Sequence, residues 1–239
     1  MSDVTCVIVV MVPGEKKYFR KVVQSVVDQT YRTKIVIVFN DTFEWLPQIA
    51  KSLQEDIVLV PVAKTLASRA RNIGVSLTDT EFVGFLDGDD FWAPMKIESQ
   101  LYTITSQSLD LVGCDHLLVD SDGKKFAHAM CRNIPMPSSW LVRTEVMMER
   151  PFDVEAKCHE DEVWWRNNRK FLKIGRLPKE YLMYTVRSNS ASSGVSNKKR
   201  KELMMHFSRT PFSKFLLLTS TSILRLAFVR SYYKDHSSW

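Results

Sequence analysis

The segment Asp87-Gly88-Asp89-Asp90 carries the clearest potential for chemistry, and it directly follows the apolar stretch Phe82 to Leu86. Three carboxylates this close together repel one another, and a bound cation would neutralise them. Oxygen ligands with no Cys or His pair nearby favour Mg²⁺ or Mn²⁺ over zinc. The alternative is an acidic turn that caps a helix beginning near Pro94, because Asp is favoured at helix starts. This segment alone leaves both interpretations open.

A second acidic pair, Glu160-Asp161, opens a segment from His159 to Phe171 in which apolar residues recur with helical spacing and Phe171 is expected to point inward. An acidic pair at a helix start stabilises the helix through its dipole, so a purely structural role is open. Trp164, on the same segment, could stack on a sugar ring or pack in the core.

Strands and helices that alternate along the first half of the chain must position these residues. Apolar, β-branched runs predict strands, and apolar residues three and four apart predict helices. The strands are expected at 4–12, 34–39, 57–60 and 82–86, and the helices at 19–30, 44–54, 68–77 and 94–107. This order is typical of an open α/β fold with a mostly parallel sheet. Because ligands bind beyond the carboxyl ends of such strands, Pro13-Gly14, Asn40-Asp41 and the acidic segment after residue 86 should meet at one crevice.

The pattern changes beyond residue 107. Leu109 to Val119 and Lys125 to Cys131 flank a Ser-Asp-Gly turn and predict a hairpin, and further strands are expected at Ser138 to Arg143 and Tyr181 to Val186. The second half should therefore be antiparallel or mixed and shape an acceptor site.

Length and composition exclude several classes of protein. The chain has 239 residues, of which 45% are hydrophobic and 25% charged, so it is not a disordered or low-complexity protein. Neither G-x-G-x-x-G nor G-x-x-x-x-G-K-[ST] occurs, which removes the dinucleotide and P-loop fingerprints. Four cysteines without C-x-x-C spacing, and a start without the pattern of a signal peptide, predict a cytoplasmic protein with free thiols.

The positive charge is concentrated at the end of the sequence. The net charge is +6, yet residues 198–239 hold nine Lys and Arg against two acidic residues, a net +7. We expect a basic, apolar, helical C-terminal extension over these residues. It is shorter and more charged than a membrane-spanning helix, and either lies on an anionic membrane surface or packs on the preceding domain.

Two ordered segments resemble motifs of the family 2 glycosyltransferases. Ser68 to Gly74 matches S-x-A-R-N-x-G, and Phe85 to Asp90 matches F-L-D-x-D-D. Order and spacing both agree, and the resemblance extends over roughly residues 4–190. It implies a GT-A-like domain over residues 1–197, with a nucleotide-sugar-binding half at 1–107 and an acceptor-binding half at 108–197.

The resemblance also implies a donor site for a nucleoside-diphosphate sugar, with a UDP-sugar favoured. Asp41 would bind the base, Arg71 would lie near the base or the diphosphate, and Asp89 would hold the Mn²⁺ or Mg²⁺ that bridges the diphosphate. Without the resemblance, Asp41 reads as a turn residue and Arg71 as a surface residue. The residues assigned to the nucleotide-sugar are Pro13, Asp41, Arg71, Asp87, Asp89 and Arg187, with Asp90 as an additional candidate.

For the reaction, the resemblance implies an inverting transfer of one sugar to a glycan or lipid-linked acceptor, with Asp161 as the general base. Glu160 and Trp164 are additional site candidates. Relatives often end the first strand with P-x-Y-N, whereas this chain has Pro13 to Lys16 there and lacks that aromatic or amide contact. No Q-x-x-R-W element follows Glu160-Asp161, which favours single-sugar transfer over processive polymerisation.

Two other functions would use the same residues. A metal-dependent nucleotidyltransferase would release pyrophosphate instead of a nucleoside diphosphate, and a non-catalytic module would bind a nucleotide or glycan without turnover. A modified base in DNA is a minor alternative acceptor, because the basic extension could follow phosphates. No recognisable nucleic-acid module occurs in the sequence, so a nucleic-acid partner is not expected.

Overall fold

The structure is a computed structural model that describes residues 3–120, 122–129, 136–156 and 160–185. Arg187, Cys131, Cys158 and the basic extension at 198–239 lie outside the described residues, so the predictions made for them remain predictions.

Four parallel strands form the first half of the sheet, as predicted. Because β1 is buried along its whole length, its sequence is a continuous apolar run. It pairs in parallel with β2 on one side and β4 on the other, and β3 pairs with β2. The bounds are β1 Val4–Val10, β2 Lys34–Asn40, β3 Val58–Val62 and β4 Phe82–Asp87.

Four helices connect or follow these strands, and all four were predicted. In α1 the apolar stripe Phe19, Val22, Val23 and Val26 is buried, which is why three- and four-residue spacing located this helix. The bounds are α1 Lys16–Val27, α2 Leu46–Leu53, α3 Ala67–Ser76 and α4 Lys96–Ser106.

Antiparallel strands continue the same sheet in the second half of the chain. Eight strands follow one another in the order β3-β2-β1-β4-β8-β6-β9-β5. β8 is antiparallel to β4 and to β6, and β5 is antiparallel to β9. The predicted α/β class with a mixed second half is confirmed. The bounds are β5 Phe91–Trp92, β6 Leu111–Val119, β7 Lys125–Ala129, β8 Leu141–Arg143 and β9 Ile174–Thr185.

Several element bounds differ from the prediction. The strand expected at Ser138 to Arg143 begins only at Leu141, after a 3-10 turn at Pro137–Ser139, and α5, Thr144–Glu149, was not predicted. α6 covers Glu160–Asn168 and is followed by a 3-10 turn. The inward orientation predicted for Phe171 is wrong, since it is 60% exposed. A 3-10 turn has three residues per turn, so it rotates Phe171 away from the buried face of α6.

The chain divides into two compact units. The first comprises Met1–Leu117 and Met130–Tyr184, and it contains every described residue of the candidate site. The second comprises Leu118–Ala129 and Thr185–Trp239. In its described part, the Asp120 carboxylate accepts hydrogen bonds from the backbone N–H groups of Asp122 and Lys124 and shapes the turn before β7.

Two of the four cysteines, Cys6 and Cys114, lie among the described residues. Both are buried free thiols. Free thiols were predicted from the absence of C-x-x-C spacing. Burial raises the pKa of Cys114 to about 11, so this thiol is protonated at neutral pH. Among the described helices, none has the length and apolarity that crossing a bilayer would require.

Candidate active site

The acidic segment lies where β4 ends and is held as a tight turn. The backbone N–H of Asp90 donates to the Asp87 carbonyl at 3.1 Å, and the N–H of Asp87 donates to Ser138 Oγ at 3.2 Å. Asp89 is 8% exposed and Asp90 1% exposed, while Asp87 is half-buried. Charged side chains are almost never this buried unless neighbouring groups compensate their charge. The acidic turn is therefore an organised, buried part of the fold and not a solvent-exposed turn.

Glu15, which the sequence analysis did not assign, supports this turn from the end of β1. Its Oε2 accepts hydrogen bonds from the backbone N–H groups of Met11 and Val12, at 2.8 and 2.9 Å. A Cβ at Gly88 would lie 2.9 Å from the Glu15 side chain, so any larger residue here would force Glu15 or the turn to move. The only sequence signal for this supporting role is that an acidic residue follows Pro13-Gly14.

Arg71 joins two of the predicted carboxylates. From α3 it donates one hydrogen bond to Asp87 Oδ1 and one to Glu160 Oε1, both at 2.6 Å, and its side chain is 4% exposed. Burial opposes its charge, but the neighbouring Asp87 and Glu160 carboxylates raise its pKa above the ordinary value. Arg71 is therefore a buried ion-pair residue and not a surface arginine. It brings the D-x-D turn and the start of α6 together.

Asp161 stands at the start of α6, next to Glu160. Burial, reinforced by the Glu160 charge, raises the pKa of Asp161 to about 6, although the Glu162 N–H hydrogen bond and the Arg71 charge act in the opposite direction. That N–H donates to Asp161 Oδ1 at 2.9 Å. A carboxylate with a pKa near neutrality can accept a proton from a hydroxyl and is suited to general base catalysis.

The segments after β1 and β2 hold the other described residues that were predicted to line the crevice. Pro13 begins a 3-10 turn directly after β1 and is exposed. After β2, Asn40 Oδ1 accepts hydrogen bonds from the N–H and the hydroxyl of Thr42, at 3.1 and 2.9 Å. The backbone N–H of Asp41 donates to Val62, and its side chain is exposed. The turn is thus formed by Asn40, which leaves the Asp41 carboxylate available to a ligand.

Comparison with known proteins assigns the family. Residues 7–185 match the family described as Glycosyl transferase family 2. The chain belongs to glycosyl transferase family 2. Its curated relatives include glycosyltransferase GlyA of Streptococcus pneumoniae, 26% identical over 225 residues, which cover 80% of this chain and 32% of that protein. An uncharacterized glycosyltransferase of Rickettsia bellii is 22% identical, covering 85% of this chain and 33% of the relative. The chain thus spans about a third of the length of these relatives.

Solved structures of similar fold include two proteins in complex with nucleotide-sugars. S. aureus TarS in complex with UDP-GlcNAc has a TM-score of 0.70 at 17% identity, covering 97% of this chain and 74% of that chain. The mannosyltransferase PcManGT of Pyrobaculum calidifontis, in complex with GDP-Man and Mn²⁺, has a TM-score of 0.64 at 12% identity, covering 94% and 70%. These likenesses confirm the predicted GT-A-like fold.

Within this family 2 domain, the S-x-A-R-N-x-G motif has packing roles as well as the Arg71 contacts. Asn72 bonds the backbone of Phe152 twice, donating to its carbonyl at 2.8 Å and accepting from its N–H at 3.0 Å. A Cβ at Gly74 would overlap the side chain of Val7, so glycine lets α3 approach β1 closely. The motif therefore fixes α3 against both the sheet and the segment before α6.

Trp164 lies in the core of the glycosyltransferase domain. It is 2% exposed, and its indole N–H donates to the Arg150 carbonyl at 2.6 Å. Its ring packs against Trp140, with centroids 5.0 Å apart, and against Phe152 at 6.1 Å. In this position Trp164 supports α6 from inside and offers no open face for a sugar to stack on.

The acidic turn of the domain has donors suited to a divalent metal shared with a substrate. Within the described ranges, no group of three or more His, Cys, Asp or Glu side chains is arranged to hold a metal ion. Asp87 and Asp89 place carboxylate oxygens on one tight turn. Mg²⁺ is commonly bound through one or two carboxylates together with substrate phosphates, so this donor set fits an ion that arrives with a diphosphate.

Proposed function

We propose that this chain transfers a single sugar from a nucleoside-diphosphate sugar to an acceptor hydroxyl. The observation that carries the proposal is the double ion pair of Arg71, because it joins Asp87 of the D-x-D turn to Glu160, the neighbour of Asp161. This contact supports a single site that would combine a donor-binding turn with a carboxylate suited to accept a proton. Family membership supports the same reaction class.

The proposed donor is a UDP-sugar. Asp41, exposed beyond β2, would bind the base, and Pro13 would border the nucleotide beyond β1. Arg187 would contact the diphosphate bidentately. TarS was solved with UDP-GlcNAc and PcManGT with GDP-Man, which supports a nucleotide-sugar as the donor class.

In the proposed reaction, the acceptor oxygen attacks the anomeric carbon as the bond from that carbon to the diphosphate oxygen breaks. The acceptor hydroxyl proton passes to Asp161, and the configuration inverts because attack and departure occur on opposite faces. When bound, a Mn²⁺ or Mg²⁺ ion held by Asp89, with Asp87 and Asp90 beside it, would neutralise charge on the departing nucleoside diphosphate. Glu160 would keep Asp161 at the site through its bond to Arg71.

The proposed acceptor is a glycan or a lipid-linked acceptor on the cytoplasmic side of a membrane. The +7 extension at residues 198–239 would hold the chain at an anionic lipid surface. A truncated chain ending at residue 197 that sedimented with anionic vesicles as well as the full chain would contradict this part of the proposal.

Calorimetric titration of UDP, GDP and their sugars, with and without Mn²⁺, tests the donor site. We expect metal-dependent UDP-sugar binding that Asp89→Ala abolishes. Asp79→Ala is the matched control, since Asp79 is an exposed carboxylate that pairs with Lys34 before β4 begins. Binding that does not depend on Asp89 would contradict the proposed site.

Product analysis then separates the reaction classes. Release of a nucleoside diphosphate identifies glycosyl transfer, whereas release of pyrophosphate would identify a nucleotidyltransferase. Donor binding without turnover across a broad acceptor panel would identify a binding module.

A further inference from the structure

We propose that Arg71 is a positioning residue, which by bonding Asp87 and Glu160 at once holds the start of α6, and with it Asp161, in register with the D-x-D turn. The consequence for catalysis rests on the proposed function, whereas the positioning itself does not. Neither the nucleotide contact first expected for Arg71 nor the family match contains this role.

The geometry of the guanidinium carries the inference. Its two terminal nitrogens serve different carboxylates, one at Asp87 and one at Glu160, each at 2.6 Å. These partners lie 16 and 89 residues away along the chain, on a strand end and a helix start. A planar fork with fixed directions can hold two acceptors at a set separation, and the single ammonium of lysine cannot reproduce it.

Neighbouring contacts restrict Arg71 itself. The guanidinium carbon lies 5.5 Å from the centre of the Phe152 ring, and the backbone of Phe152 is held by the amide nitrogen and the amide oxygen of the Asn72 side chain. Two adjacent residues of α3, Arg71 and Asn72, thus both contact Phe152 in the segment that precedes α6. With 4% of its side chain exposed, Arg71 has little freedom to swing toward a ligand in this arrangement.

The two ion pairs of Arg71, with Asp87 and Glu160, form what we call the clamp. The clamp matters for catalysis because Glu160 is the neighbour of Asp161. Glu160 and Asp161 are successive residues at the start of α6, so fixing Glu160 also limits where the Asp161 carboxylate can lie. A general base must lie within hydrogen-bond reach of the proton it takes, and small displacements are costly to the rate. Loss of the clamp should therefore lower the rate of the chemical step more than it weakens binding of the acceptor.

Steady-state kinetics of Arg71→Lys, Glu160→Gln and the double variant test the proposal. We expect each single variant to lower kcat by about tenfold or more, with the KM for the acceptor changed by less than about threefold. Because both changes break the same contact, the double variant should be no more than about twofold worse than Arg71→Lys. Losses that multiply in the double variant, or a kcat for Arg71→Lys equal to that of the wild type, would overturn the proposal.

Arg143→Lys is the matched control. Arg143 also pairs with a carboxylate, Glu81 at 2.7 Å, but at the opposite end of β4 from Asp87, roughly 20 Å away along the strand. We expect its kcat to match that of the wild type.

Amide hydrogen exchange separates this inference from the proposed function. If the wild type transfers no sugar from any donor, the proposed function fails and the clamp is judged by exchange alone. Arg71→Lys should speed exchange at residues 160–168 and 85–90, while Arg143→Lys leaves those segments protected. Unchanged exchange in these two segments, or equal acceleration throughout the chain, would contradict the clamp.

Discussion

Glu15 and Gly88 are in contact in the turns that follow two adjacent strands, β1 and β4. The Glu15 carboxylate is held by two backbone N–H groups and fills the space that a side chain at position 88 would need. A Cβ there would also lie 3.0 Å from the carbonyl oxygen of Val9. The residue between Asp87 and Asp89 is therefore restricted by packing, and the position of the carboxylates depends on that packing.

Gly88→Ala should weaken donor binding, since either Glu15 or the acidic turn must move to accommodate the methyl group. We expect the Kd for the nucleotide-sugar to rise by about tenfold, with a modest loss of stability, as for other overpacked sites. Calorimetry with the donor and Mn²⁺ measures the effect. Adding Glu15→Asp to this variant shortens the obstructing side chain and should restore part of the affinity. An unchanged Kd for Gly88→Ala would show that the turn tolerates the displacement.

Asp161→Asn should remove the general base without disturbing the start of α6, because the amide oxygen still accepts the Glu162 N–H. We expect kcat to fall by about 10²- to 10⁴-fold. Since the pKa of Asp161 is about 6, the rate of the wild type should rise with pH through that value and then level off. Glu162→Gln is the control: removing a like charge should move the acidic limb to lower pH and keep the plateau rate. A variant Asp161→Asn that retains the full rate would exclude this residue as the base.

The same substitution should stabilise the fold above neutral pH. The pKa of Asp161 is about 6 in the folded protein and 3.8 ordinarily, so the folded state binds a proton more tightly than the unfolded state. The stability that the protonated Asp161 carboxyl contributes is fully present below about pH 4 and is lost as pH rises through about 6. We expect Asp161→Asn to raise the free energy of unfolding by about 2 kcal/mol at pH 8 and by little at pH 4. Urea denaturation at both values measures this, and equal differences at the two pH values would contradict it.

Lys96, at the start of α4, is fully buried and should be replaceable by methionine with a gain in stability. Its Nζ lies 3.2 Å from the Trp140 carbonyl and 3.9 Å from the centre of the Trp92 ring, and burial lowers its pKa to about 8. Below about pH 8 the folded state bears the full cost of a buried charge, and that cost disappears as pH rises toward 10.5.

We expect Lys96→Met to raise the free energy of unfolding by about 1–3 kcal/mol at pH 7, and by progressively less between pH 8 and 10.5. Denaturation at pH 7 and pH 10 measures the difference. Lys64→Met, at an exposed lysine, is the control and should leave the free energy of unfolding nearly unchanged at pH 7. A destabilised Lys96→Met protein at pH 7 would show that the hydrogen bond and ring contact outweigh the desolvation of the charge.

Gly74→Ala should destabilise the packing of α3 on β1, because the added methyl group would overlap Val7. We expect a loss of about 1–3 kcal/mol in the free energy of unfolding. Combining it with Val7→Ala should cost less than the two separate losses together, since the second change makes room for the first. Strict additivity in thermal or urea denaturation would contradict this explanation of the glycine.

Most of the regular structure was predictable because it depends on neighbours along the chain. β1 reads as a strand from its unbroken apolar run, and α1 from the spacing of Phe19, Val22, Val23 and Val26. The two-residue strand β5 and the 3-10 turn at Pro137–Ser139 were not predictable in this way. Segments this short carry too few residues for a period to appear, and pairing or packing with distant segments decides them.

For the site, the amino-acid sequence alone was enough to identify the family motifs, the acidic turn after β4 and the acidic start of α6. Those features are short runs of residues, and a short run keeps its chemical character wherever the chain places it. How these features are combined depends on the packing of distant segments. That packing buries Trp164 in the core, places Glu15 against Gly88, and makes Arg71 the bridge between Asp87 and Glu160. The Arg71–Glu160 contact spans 89 residues, and only the packing of α3 against the sheet and the start of α6 brings those two side chains together.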